Sequence, residues 1–298
     1  MSAALLAFVL GAVAHADDFS RVDVGDVVAL EMEWRDRKKR RRETHVRLPA
    51  QDVALAEDTA HQAPMVAAAH ATARAVEAVY RKRSDVDVDV EVTVDGGMRY
   101  SVEAEDSEQA VSVLASAQDL GERIFDAELQ SRGYRMLEGD IVAPDYRAAV
   151  EAAAPHLGAL ARSLGPRKDR RAYTNQALAF VQSIPYEETS PGEDAWRPPL
   201  AVLSMNRGDC DSKVTLFLAI MRAAYPEMDL AAVIIPGHAL AAVDIAPRED
   251  DAVVSRGRRR LVVAEAVGPS LARVGWVEGR SRRVLKRRNR QVIRMPGA

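Results

Sequence analysis

The chain has 298 residues, 48% of them hydrophobic and 29% charged, a balance that supplies a sizeable core in one or two domains and excludes a disordered, collagen-like or multi-span membrane chain. The formal net charge of -3 excludes a globally basic nucleic-acid binder. The charge is uneven, however: acids crowd residues 85–106, whereas from Arg256 onward only Glu265 and Glu278 stand among many arginines and Lys286.

At the front, residues 3–13 form an apolar stretch followed by Ala14-His15-Ala16 and then Asp17-Asp18. The pattern reads as an export signal cleaved after Ala16, although no Lys or Arg precedes it. The stretch is short of the roughly 20 residues that a membrane-spanning helix needs. Export to a periplasmic or extracellular space is therefore expected. Such compartments are oxidising, and unpaired thiols are unusual there. Cys210 is the single cysteine, so neither an internal disulfide nor a Cys-rich zinc site is open to it. It is an inert buried thiol, an intermolecular bridge or a nucleophile.

Val28, Leu30, Met32 and Trp34 alternate with more polar neighbours, which predicts a strand. A basic loop over 35–42 leads to a return strand over 44–48. Residues 60–81 are Ala-rich with helical spacing. Val86, Val88, Val90, Val92 and Val94 face one way and Asp87, Asp89, Glu91 and Thr93 the other, with a turn at Asp95-Gly96-Gly97. This is a hairpin with one wet face, and a helix over 107–132 follows. Residues 17–135 thus read as a small α+β domain in which no chemistry is visible. A connection at 139–144 leads to a second domain over 140–280. Helices are expected over 145–164 and 169–184, the first stopped by Gly165-Pro166 and the second by Pro185. Residues 281–298 read as a basic tail. This tail and the run at 37–42 are either solvated faces or grips for an anionic surface.

The informative stretch is Asn206-Arg207-Gly208-Asp209-Cys210-Asp211-Ser212-Lys213. A turn ends at Gly208 and an apolar helical run follows, so Cys210 sits in or just before the first turn of a buried helix. Unpaired backbone N–H groups at a helix start lower a thiol pKa and can receive an oxyanion. A cysteine nucleophile needs a base, and His238 is the only histidine downstream. It lies between two apolar runs that read as strands, 230–235 and 239–245. A third run, 261–267, is apolar except for Glu265. A lone buried carboxylate is costly without a partner, and an imidazole N–H supplies one. Taken singly, each residue reads as ordinary core or surface. Together, in the order helix start, strand, strand, they read as a Cys-His-Glu triad.

Over about 173–276 the chain resembles the transglutaminase-like superfamily of cysteine enzymes, and within it the bacterial cysteine-protease branch. The stretches that carry the likeness are Phe180-Val181-Gln182-Ser183-Ile184-Pro185-Tyr186, Gly208-Asp209-Cys210-Asp211, Gly237-His238-Ala239, and Ala264-Glu265-Ala266 with Gly275-Trp276. The resemblance implies a papain/transglutaminase-like core, a nucleophile helix packed on an antiparallel sheet, so that the whole chain is α+β. It implies Cys210 as nucleophile, His238 as base and then acid, and Glu265 as orienter, with Gln182 as an oxyanion-hole side chain. Relatives often carry a second acid two places after the cysteine, where this chain has Ser212. In exported relatives the acids beside the cysteine can hold calcium. Asp209 and Asp211 offer only part of the six to eight oxygens calcium takes, and caps at the helix start are the expected role.

The expected function is hydrolysis of a protein or peptide amide through a thioester. Acyl transfer to an amine, as in cross-linking, and a non-catalytic binding module of the same fold are the competing readings. No cofactor and no specific nucleic acid are expected, and an anionic surface would be met through the basic tail.

Overall fold

The computed structural model describes residues 19–59, 64–138, 141–188, 196–256, 259–268, 270–287 and 290–297. The expected export signal lies outside them. Among the described residues no helix is long and apolar enough to cross a membrane. The chain is α+β.

Three antiparallel strands open the described chain: β1 (Phe19–Val24), β2 (Val27–Arg35) and β3 (Arg41–Pro49). The alternation of β2 buries Val28, Leu30, Met32 and Trp34, as expected. The basic run after it is the hairpin turn, folded around one carboxylate. Asp36 accepts from the N–H groups of Lys38 and Arg40 and from the guanidinium groups of Arg40 and Arg42. These four donors hold its pKa down at about 2 against the cost of burial. The turn is therefore a charge-paired structure.

Helix α1 (Ala50–Thr59) follows, then α2 (Pro64–Tyr80), the hairpin β4 (Val86–Val92) and β5 (Met98–Ala104), and α3 (Ser107–Ser131). Asp106 caps α3 by accepting from the Gln109 N–H at 2.7 Å. Elements α2 to α3 enclose a small core of their own around Val76, Val88, Val90 and Ala117. The first sheet and α1 do not belong to it. Val28, Trp34, Leu48 and Val53 share the main core with Phe180, and Trp34 meets Phe180 edge to face at 5.7 Å. The expected front domain of 17–135 is thus redrawn. The small satellite is residues 64–131, and 19–59 is a wall of the main body.

A short hairpin, β6 (Tyr134–Leu137) and β7 (Ile141–Pro144), replaces the expected connection. The helix expected over 145–164 is broken into α4 (Tyr146–Ala153), a 3-10 turn (Ala154–Leu157) and α5 (Gly158–Ser163). Pro155 lies in the break, lacking an N–H for the helical ladder and clashing with the preceding turn. Helices α6 (Arg170–Ser183), α7 (Pro199–Met205) and α8 (Cys210–Ala224) come next.

The rest of the chain builds a five-stranded antiparallel sheet: β8 (Leu230–Ile235), β9 (His238–Val243), β10 (Val253–Arg256), β11 (Arg259–Ala264) and β12 (Gln291–Met295), in the order β10-β11-β9-β8-β12. Helix α9 (Gly279–Lys286) precedes β12. One face of the sheet, with Ala232, Ala241 and Val262, packs against the Leu216–Ala219 stretch of α8. The other, with Val233, Leu240 and Val263, packs under Leu285 of α9. Burial on both faces explains why β8, β9 and β11 read as unbroken apolar runs. The supposed basic tail of 281–298 is thus part of the fold, a covering helix and an edge strand. Arg222, near the end of α8, ties it down by donating to the Met295 and Pro296 carbonyls.

Candidate active site

Cys210 is the first residue of α8. Asp209 caps the helix, its carboxylate accepting from the Ser212 N–H at 2.8 Å. Asn206 ends α7 at φ 49°, and the chain then turns through Gly208. A Cβ at Gly208 would lie 2.9 Å from the Ser212 side chain, so the turn has no room for one. The same turn is stitched to the end of α6 by a bridge between Tyr186 and Gly208 and by the Glu187 N–H donating to the Gly208 carbonyl. Ser212, where relatives often carry a second acid, is fully buried and accepts from the Arg197 N–H at 2.7 Å. Its hydroxyl locks the loop before α7 onto the nucleophile helix.

His238 opens β9, immediately after the Pro236-Gly237 turn in which Gly237 has φ 72°. A left-handed position of this kind favours glycine. Glu265 directly follows β11, the neighbour of β9. The sheet order therefore places base and acid side by side although 27 residues separate them in sequence. Nε2 of His238 lies 3.0 Å from each carboxylate oxygen of Glu265. Glu265 is 6% exposed, and the imidazole is the partner that its burial requires. Because Nε2 faces the carboxylate, Nδ1 is the ring nitrogen left for the thiol side.

The Cys210 thiol reaches the same corner. Its sulfur accepts from the backbone N–H of Ala239, the residue after His238, and lies 3.7 Å from Oδ2 of Asp211. The three expected triad residues therefore converge: helix start, first residue of β9 and end of β11.

The electrostatics differ from expectation in one respect. Burial, then the Asp211 and Asp209 carboxylates, push the Cys210 thiol well above its ordinary pKa, and the Ala239 and Asp211 N–H groups offset only part of this. A thiolate favoured by the helix start was expected. Burial first, and then the Asp211 and Asp209 charges, outweigh the helix-start effect, so the surroundings favour the thiol over the thiolate. For His238, burial opposes the charged ring, but the Glu265 hydrogen bond and charge, with Asp211 and Glu278 behind them, win and raise its pKa.

Gln182 does not offer an oxyanion donor. It is 1% exposed, and its amide nitrogen donates to the carbonyls of Glu265 at 2.7 Å and Ala272 at 3.3 Å. Both amide protons are used to strap α6 to the segment that carries the triad acid. Gly268 lets this strap close, since a Cβ there would stand 2.1 Å from the Gln182 carbonyl. Tyr186, half-exposed just beyond α6, lies near enough to the site to feel it electrostatically. Burial, then its neighbours Cys210, Asp209, Asp211 and Glu188, push its phenol up to about 12, so it stays a neutral O–H donor. The Pro-Tyr pair was legible in the sequence, but nothing in its spacing singled out the phenol.

Two further groups complete the surroundings. Tyr146 of α4, fully buried, donates its hydroxyl to Oδ1 of Asp211. Lys213, one turn after Cys210, is also fully buried and donates to the Ile184 carbonyl at 2.6 Å. Burial pushes its pKa down to about 7, while the Glu265 charge opposes the shift. Asp209, Cys210 and Asp211 bring one ligand atom each within 4.8 Å of one another. As a calcium site this set fits poorly. Two carboxylates already occupied with a cap and a tyrosine, beside a soft thiol, fall far short of six to eight oxygens. Trp196 packs edge to face on Tyr134 at 5.3 Å.

No protein-family model matches this chain, and neither the curated proteins nor the solved structures contain one significantly similar to it.

Proposed function

We propose that the chain is an exported cysteine-dependent amide hydrolase with a papain/transglutaminase-like core, in which Cys210 is the nucleophile, His238 the proton carrier and Glu265 its orienter. The observation that carries this reading is the convergence of the three. The His238 ring is held through Nε2 by both Glu265 oxygens at 3.0 Å, and the Cys210 sulfur lies against the N–H of the next residue. A buried carboxylate, an oriented imidazole and a helix-start thiol are the parts that thiol acyl transfer needs. Export rests on residues 3–16 and on the single cysteine.

The step follows from the protonation states. The Cys210 proton passes to Nδ1 of His238 as the sulfur attacks the amide carbonyl carbon. Glu265 stabilises the imidazolium that forms. The oxyanion is received by the Cys210 backbone N–H, which as a first-turn group has no intrahelical partner, and by the Tyr186 hydroxyl. His238 then returns its proton to the amide nitrogen as the C–N bond breaks, leaving a thioester. Water, deprotonated by His238, releases the acid and restores the thiol. With a protonated resting thiol, His238 acts as a general base during attack and not as half of a standing ion pair.

A peptidyl epoxysuccinate, which alkylates cysteines assisted by a neighbouring imidazole, tests the reading. Mass spectrometry is expected to find one adduct on Cys210 at neutral pH. His238→Ala is expected to slow labelling by about a hundredfold, the range for losing a positioned acid–base group. Equal rates in both proteins, no faster than in the denatured chain, would remove the catalytic reading.

A further inference from the structure

Strands β2 and β3 bury one set of alternate side chains and turn the other outward, and three of the outward groups converge. Leu30 and Met32 of β2 and Thr44 and Val46 of β3 are buried. Their neighbours Glu31, Glu43 and His45 therefore point to solvent, and all three are exposed. In the antiparallel register Glu31 stands directly opposite His45, and Glu43 lies on the same face one side chain further along β3. Nε2 of His45 is 3.0 Å from Oε1 of Glu43, and Nδ1 is 3.9 Å from Oε1 of Glu31. One imidazole nitrogen and one oxygen of each carboxylate all lie within 4.8 Å of one another. Arginines crowd this sheet but leave these two acids alone. Glu33 pairs with Arg41, and Asp36 with Arg40 and Arg42. Among the described residues no lysine or arginine pairs with Glu31 or Glu43, which turn to His45 instead.

We propose that this face of the β2–β3 hairpin binds one divalent ion of the zinc class through His45, Glu31 and Glu43. An imidazole with two carboxylates is a donor set that zinc and its first-row neighbours take, and it leaves a fourth, tetrahedral position to water. Bonds of about 2.0–2.2 Å to the ion set the donor atoms roughly 3.3 Å apart. The separations in the cluster already approach that spacing, so closing on an ion asks for a turn of the imidazole and small shifts of two exposed carboxylates. The backbone beneath them is fixed. The buried Trp34 indole N–H donates to the Thr44 hydroxyl at 2.9 Å, and Thr44 lies between Glu43 and His45. Ser20 of β1, opposite Glu31 in register, stands 3.5 Å from Oε2 of Glu31, so Oε1 is the oxygen left toward His45. An outer partner of this kind orients a metal ligand. A cation between the two acids also relieves their mutual repulsion. Calcium is a poorer occupant, because it takes six to eight oxygens and no imidazole, and two carboxylates fall short of that. An ion held here clips β2 to β3, the wall that shares the main core with Phe180. Nothing in this proposal rests on the hydrolase reading.

Calorimetric titration of Zn²⁺ into the full chain carrying Cys210→Ser, which removes the thiol as a competing ligand, tests the site. One ion per chain is expected, with half-saturation in the micromolar range, and the Tm rises with added zinc because the ion binds the folded chain alone. A further His45→Ala is expected to weaken binding by at least the ten- to hundredfold, roughly, that losing an outer-shell partner costs, and to abolish the rise in Tm. Glu31→Gln and Glu43→Gln are each expected to weaken it in the same direction. All three side chains are exposed, so the metal-free variants keep the parent Tm, which a melt without zinc checks. Ca²⁺ at the same concentration is expected to leave the Tm unchanged. Zinc bound as tightly by the His45→Ala protein would overturn the proposal. So would the lack of any binding up to millimolar zinc, which would make the cluster a plain imidazole–carboxylate ion pair. Calcium bound as well as zinc would also overturn it, by making the face an unselective acidic patch.

Discussion

His238 Nε2 is equidistant, at 3.0 Å, from the two carboxylate oxygens of Glu265, and this pairing fixes both the tautomer and the charge of the ring. An ionised Glu265 accepts from Nε2–H, leaving the lone pair on Nδ1. The same contact is what raises the His238 pKa against burial. The acid limb of the amide-hydrolysis profile, where neutral His238 is lost, is then expected above the ordinary histidine value of about 6.5. Glu265→Gln removes the raising charge while burial stays, so the limb moves to lower pH. Its rate is expected to fall by roughly 10² to 10⁴, the consequence of an unfixed tautomer. A pH–rate profile decides it: a limb that stays in place would mean that Glu265 does not govern the ring.

The Asp211 carboxylate is the largest charged contributor to the raised Cys210 pKa. Asp211→Asn keeps an oxygen for the Tyr146 hydroxyl and removes the charge. The thiol pKa is therefore expected to fall. Iodoacetamide alkylation near pH 7 is expected to rise by about tenfold for each unit of that fall. His238 also feels Asp211 as a raising charge, so its own pKa drops in the same variant. Slower alkylation than in the wild type would show that the carboxylate assists the thiol instead of holding its proton.

The three residues of the proposed triad were legible because each breaks a local pattern. Cys210 is the single cysteine, placed between a glycine turn and an apolar helix. Glu265 is a carboxylate in a run that both faces of the sheet bury, and His238 follows a Pro-Gly turn. The strands around them showed as apolar runs for the same reason. Gln182 misled because spacing places a side chain near a site without saying where its donors go. Its amide faces the Glu265 and Ala272 carbonyls, 83 and 90 residues away, a long-range closure that no local window contains. The basic C-terminus read as a tail because Arg and Lys dominate it, whereas Leu285 and Met295 are the buried apolar residues among those described there. Two apolar anchors in a charged run give too weak a period to announce a helix and an edge strand.

Gly268 tests that closure. An alanine Cβ there would lie 2.1 Å from the Gln182 carbonyl, so α6 and the segment after Glu265 must separate. Gly268→Ala is expected to lower stability by about 1–3 kcal/mol, as overpacking of a tight contact does. It is also expected to loosen the Glu265 backbone, giving a broader His238 resonance by NMR. Gln182→Ala should loosen the same backbone without the clash. Wild-type stability in Gly268→Ala would mean that the contact yields freely and that the strap does not position the acid.

Lys213 carries the prediction with the clearest sign. It is fully buried, donates to the Ile184 carbonyl at 2.6 Å, and has a folded pKa of about 7 against about 10.4 in an unfolded chain. Between these values the unfolded chain holds a proton that the folded one does not. Stability therefore rises with pH across that window, and at lower pH the burial penalises the fold. The shift corresponds to a few kcal/mol over the window. Lys213→Met fills the same space without a charge and removes the dependence. Unfolding by urea at intervals from pH 7 to 10 should give a wild-type stability that climbs relative to the variant. The variant leaves the Ile184 carbonyl without its donor, which costs about 1–3 kcal/mol at every pH, so the two curves differ in slope as well as in offset. Parallel curves would mean that Lys213 keeps its proton when folded, held by Glu265, and would make the ammonium a standing member of the triad's charge balance.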